Sequence, residues 1–176
     1  MRYPIPARWR GWLFWIMAGL TLIISRLMRG PLRTSVAPWG IVSFELAGSP
    51  AKARTILASW DAQARQHALF SVRLDFLFII AYSTLLSLAC VWVAERLRAR
   101  NGSSRLVRIG WSLAWLQWLA GLFDAVENIA LLRMLGGAVA QPWPRIAQVC
   151  AVIKFALLLG GAVFTVFGGF KGLRSR

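Results

Sequence analysis

Four runs of this chain are long and apolar enough to cross a hydrocarbon layer, approximately 9–28, 69–94, 109–132 and 146–170. A spanning helix needs about 20 such residues, and in lipid its backbone polar groups must be satisfied within the segment. The 58% hydrophobic content is above that of an ordinary soluble domain. The pattern predicts a single all-α domain over 1–176, a four-helix transmembrane bundle.

A net charge of +15 would suggest a nucleic-acid partner in a soluble chain. Here Arg and Lys sit at the ends of the apolar runs and between them, where topology signals and headgroup contacts lie. No long soluble basic element is left to enter a groove, so the expected partners are membrane lipids, a second copy of the chain or a larger membrane protein. The N-terminus has the basic start and apolar core of a signal peptide. Ser25-Arg26-Leu27-Met28-Arg29 follows that core instead of a small-x-small cleavage site, which reads as an uncleaved first span.

The first span runs to about Met28 and stops at Arg29-Gly30-Pro31. Within the loop 29–68, the stretch 36–47 is apolar, with Trp39 and Phe44 suited to the headgroup interface. Ser49-Pro50 reads as an N-cap with Pro at the first helical position. The helix it opens, about 50–59, puts Ala53, Ile56, Leu57 and Trp60 near one side and is expected along the membrane surface, with Asp61 capping the continuation into the second span. Asn101-Gly102 makes the next turn, Gly136-Gly137 stops the third span, and Pro142-Trp143-Pro144 leads stiffly into the fourth.

Orientation follows from Lys and Arg in the short connections. The second connector holds Arg96, Arg98, Arg100, Arg105 and Arg108; the N-terminus adds Arg2, Arg8 and Arg10, and the C-terminus Lys171, Arg174 and Arg176. Four spans place all three on one side, expected to be the cytoplasmic side of an inner membrane, with the loop 29–68 and its surface helix periplasmic.

That topology gathers the intramembrane polar residues. Asp75, Asp124, Glu127, Asn128 and Lys154 all fall within roughly 12 Å of the outer ends of their helices, and Arg26 and Arg73 lie at outer ends too. Face agrees with depth: Gln117, Gly121, Asp124 and Asn128 form one stripe of the third span, extended by Gly110 and Ala114. Cys150, Lys154, Gly161, Thr165 and Gly168 form one on the fourth, and Ser71, Asp75 and Tyr82 share a side of the second. A carboxylate in hydrocarbon costs several kcal/mol unless paired, solvated or protonated. The cluster is therefore either a set of structural ion pairs, Lys154 with Asp124 or Asp75 and Arg26 or Arg73 with Glu127, or a site for a ligand or a proton. Glu45 in the outer loop stands over it, and reads first as an acid in water at the interface.

Catalytic and metal signatures are weak. His67 is the one histidine, just outside the second span, so no haem or zinc site built on paired His is expected. Asp75, Asp124 and Glu127 offer oxygens to Mg²⁺ or Ca²⁺, but Lys154 and Arg73 beside them argue against a metal. Ser83, Thr84 and Ser87 read as helix-satisfied hydroxyls, and Trp111, Trp115 and Trp118 as packing on the inner half of the third span. Cys90 and Cys150 differ in depth by on the order of 20 Å, too far for a disulfide. The leading functional expectation is a non-enzymatic accessory or ligand- or lipid-binding subunit with a polar outer-leaflet pocket and no cofactor. Its rivals are an oligomeric proton-coupled transporter or channel component, and a lipid-modifying enzyme using Asp124 or Glu127 as general base.

Overall fold

The computed structural model describes residues 3–100 and 104–174, with the side chains of 104 and 170–174 left aside. The Asn101-Gly102 turn, Arg2 and Arg176 fall outside the described residues, as do the side chains of Lys171 and Arg174. Among the described residues six helices follow in order: α1 (Ala7–Leu27), α2 (Ile41–Glu45), α3 (Pro50–Ser59), α4 (Ala62–Ala99), α5 (Ser104–Leu135) and α6 (Trp143–Arg174). Four of them, α1, α4, α5 and α6, are long and apolar enough to span a membrane, and the chain is a multi-pass transmembrane helical bundle.

Local chemistry sets the helix ends. Ser49 Oγ accepts from the Lys52 amide at 3.3 Å, with Pro50 opening α3. Asp61 Oδ1 accepts from the Ala64 amide at 2.7 Å and starts α4 after an extended Trp60. At the end of α5, Gly137 takes φ +101°, a left-handed conformation that favours glycine. The Ala138 and Gly137 amides return to the Arg133 and Met134 carbonyls, so the last carbonyls of the helix are satisfied. α4 has 38 residues, about 57 Å of helix, and so extends well past a hydrocarbon layer of about 30 Å. Its apolar run alone gives 69–94; the cap at Asp61 and the absence of Gly or Pro carry the helix further at both ends, taking in His67.

α5 packs most extensively on α4 and α6, which also touch each other, and α1 packs mainly along α4. Half of the most apolar window of α4 is buried within the protein, against 11% for α1, so α1 is peripheral. Its Trp9, Trp12, Trp15, Leu22 and Ile23 face outward. Arg10, expected as a topology charge, is instead buried in an ion pair with Glu95 of α4, and its Nε donates to the Ile5 carbonyl at 2.8 Å. α4 and α6 approach closely where Cys90 Sγ meets the Gly161 carbonyl and Gly168 faces Val93.

Two apolar clusters occupy the ends of the bundle. At one end Tyr3, Leu88, Val91, Leu97, Ala114 and Phe164 pack together. At the other, the loop between α1 and α4 folds down onto the helices: Phe44, Ile56 and Trp60 join Val72, Leu131, Met134 and Ala147. The apolar side of α3, Ala53, Ile56 and Trp60, is thereby covered by protein. Trp39 is exposed as a headgroup residue would be, but Phe44 is fully buried against Trp60, because α2 turns it inward. Between the two apolar clusters runs a layer of polar side chains.

Candidate functional site

The polar layer is built from one stripe of each of three helices and capped by a fourth. α5 contributes Asp124, Glu127 and Asn128, α6 Lys154, α4 Asp75 and Tyr82, and α2 Glu45, all of them buried. Lys154 Nζ donates to Asp124 Oδ1 at 2.8 Å and to Glu127 Oε1 at 2.9 Å, with Glu45 Oε2 at 3.6 Å. Tyr82 donates its hydroxyl hydrogen to Asp124 Oδ2 at 2.6 Å, and the Asn128 amide donates to Asp75 Oδ2 at 2.6 Å. Hydrogen bonds of this length to charged acceptors are the strong kind.

The chain has six acidic residues, and their distribution is lopsided. Asp61 caps α4 and Glu95 pairs with Arg10. The other four, Glu45, Asp75, Asp124 and Glu127, converge on the surroundings of a single lysine in a protein of net charge +15. Glu45 and Glu127 each keep one buried oxygen, Oε2, without a hydrogen-bond partner. At Glu45, which lies outside the spans, burial pushes the carboxyl above its ordinary 4.5, against the opposing pull of Lys154.

A cavity of about 380 Å³ opens beside this layer. It lies where α4 and α6 separate from their close approach near Cys90 and Gly161. It is lined by Phe78 and Leu86 of α4, Phe155 and Leu158 of α6 and Ile41 and Val42 of α2, and its polar groups are Glu45, Asp75, Tyr82, Asp124, Asn128 and Lys154. A few convergent polar groups in an apolar pocket of this size form the usual make-up of a small-molecule site.

The structure brings together six of the eight residues singled out from sequence. Arg26 and Arg73 are the exceptions: both are exposed, and neither pairs with Glu127. Arg73 is two residues from Asp75, about 200° round the helix, and Arg26 belongs to the peripheral α1. Asp75 pairs with Asn128 rather than with Lys154. Glu45, read first as an interfacial acid in water, is only 7% exposed and faces Lys154. Tyr82 emerges as a full member, which its two-turn spacing from Asp75 already signalled. Of the three hydroxyls, Thr84 bonds back to the Ile80 carbonyl, whereas Ser87 bridges Tyr3 and the Ala114 carbonyl of α5, and Ser83 Oγ has no hydrogen-bond partner.

No family model, curated protein or solved structure matches this chain. The chemistry of the site therefore rests on its own residues. Lys154 is committed to acids, and among the described residues no other cation lines the cavity, so the site offers acceptors far more than donors.

Proposed function

We propose that this protein is a small non-enzymatic binding or accessory subunit of a bacterial-type inner membrane. In this reading it holds an amphipathic ligand or lipid in the cavity between α4 and α6. The observation that carries the reading is the cavity itself: about 380 Å³, mostly apolar, with a few convergent polar groups in its lining. The Arg96–Arg108 connector and both termini face the cytoplasm, supported by the exposed Arg96, Arg98, Arg105 and Arg108. The polar layer then lies in the outer leaflet, and α2 and α3 form a periplasmic cap over it.

Two alternatives fare less well. A lipid-modifying enzyme would use arginines to hold a phosphate, and Arg26 and Arg73 lie outside the cavity. A proton-coupled path through one chain would have to cross the apolar cluster around Leu88, Val91 and Phe164, so transport calls for an oligomer.

The test is native mass spectrometry of the protein extracted in mild detergent, beside a Leu158→Trp variant that fills the cavity wall. The reading predicts a co-purifying amphiphile on the wild type and its loss from the variant, with thermal stability retained. Equal occupancy in both, or an empty wild type, contradicts it.

A further inference from the structure

The cavity's chemistry also bears on the class of molecule it takes, an inference that rests on the binding reading above. We propose that the ligand carries a protonated amine on an apolar chain, with the ammonium lodged between Asp75 and Glu45 and the chain lying along Phe78, Leu86, Phe155 and Leu158.

Three observations carry this. Glu45 is more than nine-tenths buried and lines the cavity, yet its Oε2 has no hydrogen-bond partner. Lys154 is its ion-pair partner at 3.6 Å, but gives its hydrogen bonds to Asp124 and Glu127. Asp75 also lines the cavity, and only its Oδ2 is engaged, by Asn128. Two carboxyl groups at the cavity thus keep acceptor capacity that no protein donor uses. An ionised carboxylate only accepts, and a bound cation holds Glu45 in that ionised form against the burial that raises it in the unliganded protein. The matching group is a cation with N–H donors.

The charge balance agrees. Four carboxyl groups surround one lysine, and a ligand cation offsets part of the excess, whereas a phosphate or carboxylate head would add to it. The aromatic rings of Phe78 and Tyr82, 5.3 Å apart between centroids, form a flank on which an ammonium is further favoured. Two sources carry this chemistry in a membrane: an aminophospholipid of the bilayer, and a free amphipathic amine.

The experiment uses the full chain in nanodiscs, with n-dodecylamine, n-dodecanol and n-dodecanoate as probes and tryptophan fluorescence and thermal shift as readouts. Dodecylamine is expected to bind at least about tenfold more tightly than the alcohol or the acid. Asp75→Asn, and independently Glu45→Gln, should each remove most of that preference, and a cooperative thermal transition shows each variant to be folded. Equal binding of all three probes, or an amine preference that survives both substitutions, overturns the proposal while leaving the binding reading in place. Binding of no probe overturns both. Native mass spectrometry separates the sources: retained phosphatidylethanolamine over phosphatidylglycerol supports the bilayer lipid, and dodecylamine binding with neither lipid retained supports a free amine.

Discussion

Lys154 gives hydrogen bonds to Asp124 and Glu127 and stands 3.6 Å from Glu45, so its removal strands three buried acids. Lys154→Met is expected to destabilise the protein by about 3–5 kcal/mol. Adding Asp124→Asn should recover only part of this loss, because Glu127 and Glu45 remain uncompensated. Asp75→Asn keeps an acceptor for Asn128 and should lie within about 1 kcal/mol of wild type. Denaturation in detergent checks all three, and full recovery in the double variant would show that a single pair carries the lock. Glu45 adds a pH dependence. Its folded-state carboxyl is raised above 4.5, so the native protein holds a proton that the unfolded chain has released. That contribution is fully present below 4.5 and is lost as pH rises through the folded value, with Lys154, Asp124 and Glu127 as the charges facing it. The wild type should therefore lose stability relative to Glu45→Gln as pH rises from 4.5, and a parallel pair of curves would refute this. At this scale the sequence revealed Asp124, Glu127, Asn128 and Lys154, because a charge inside an apolar run stands out and helical spacing assigns its face. Glu45 was not legible, since a loop acid has no periodic neighbours to say which way it turns. Arg26 and Arg73 were overread, because depth alone does not give face.

Among the elements, the glycine stripes do the work that the periodicity suggested. A Cβ on Gly110 of α5 would lie 2.6 Å from Phe164 Cζ of α6 and 2.8 Å from Ala94 Cβ of α4. Gly110→Ala should cost about 1–3 kcal/mol through overpacking, measured as a fall in thermal midpoint, while Gly11→Ala, in open space on α1, should not lower it, since Ala is the better helix former. Both cysteines are free and buried. Cys90 Sγ sits beside the Gly161 carbonyl, and Cys150 lies eleven residues away along α6, about 16 Å. Mass spectrometry after oxidation should find no bond between them, and a Cys90–Cys150 crosslink would contradict the helix packing. The spans were legible from hydropathy, and helix ends from caps at Ser49 and Asp61 and a stop at Gly137. The role of α2 and α3 was not, because a short amphipathic helix reads the same whether protein or lipid covers its apolar side.

For the whole molecule, the arrangement is a packed core of α4, α5 and α6 with α1 appended along α4 and a cap of α2 and α3 over one end. Sequence fixes the number of spans but not which helix is peripheral, since all four runs are apolar and only contacts decide. Reporter fusions within the Arg96–Arg108 connector should report the cytoplasm; a connector outside would invert the placing of the cap and the polar layer. The central claim is that the cavity between α4 and α6 holds an amphiphile with its polar end at Asp75 and Glu45. The decisive measurement is the density in this cavity when the protein is imaged in native lipids. Elongated density is expected along Phe78, Leu86, Phe155 and Leu158, ending within hydrogen-bond distance of the Asp75 carboxylate. A cavity closed by α4 and α6 coming together, with Asp75 drawn onto Lys154, would contradict it.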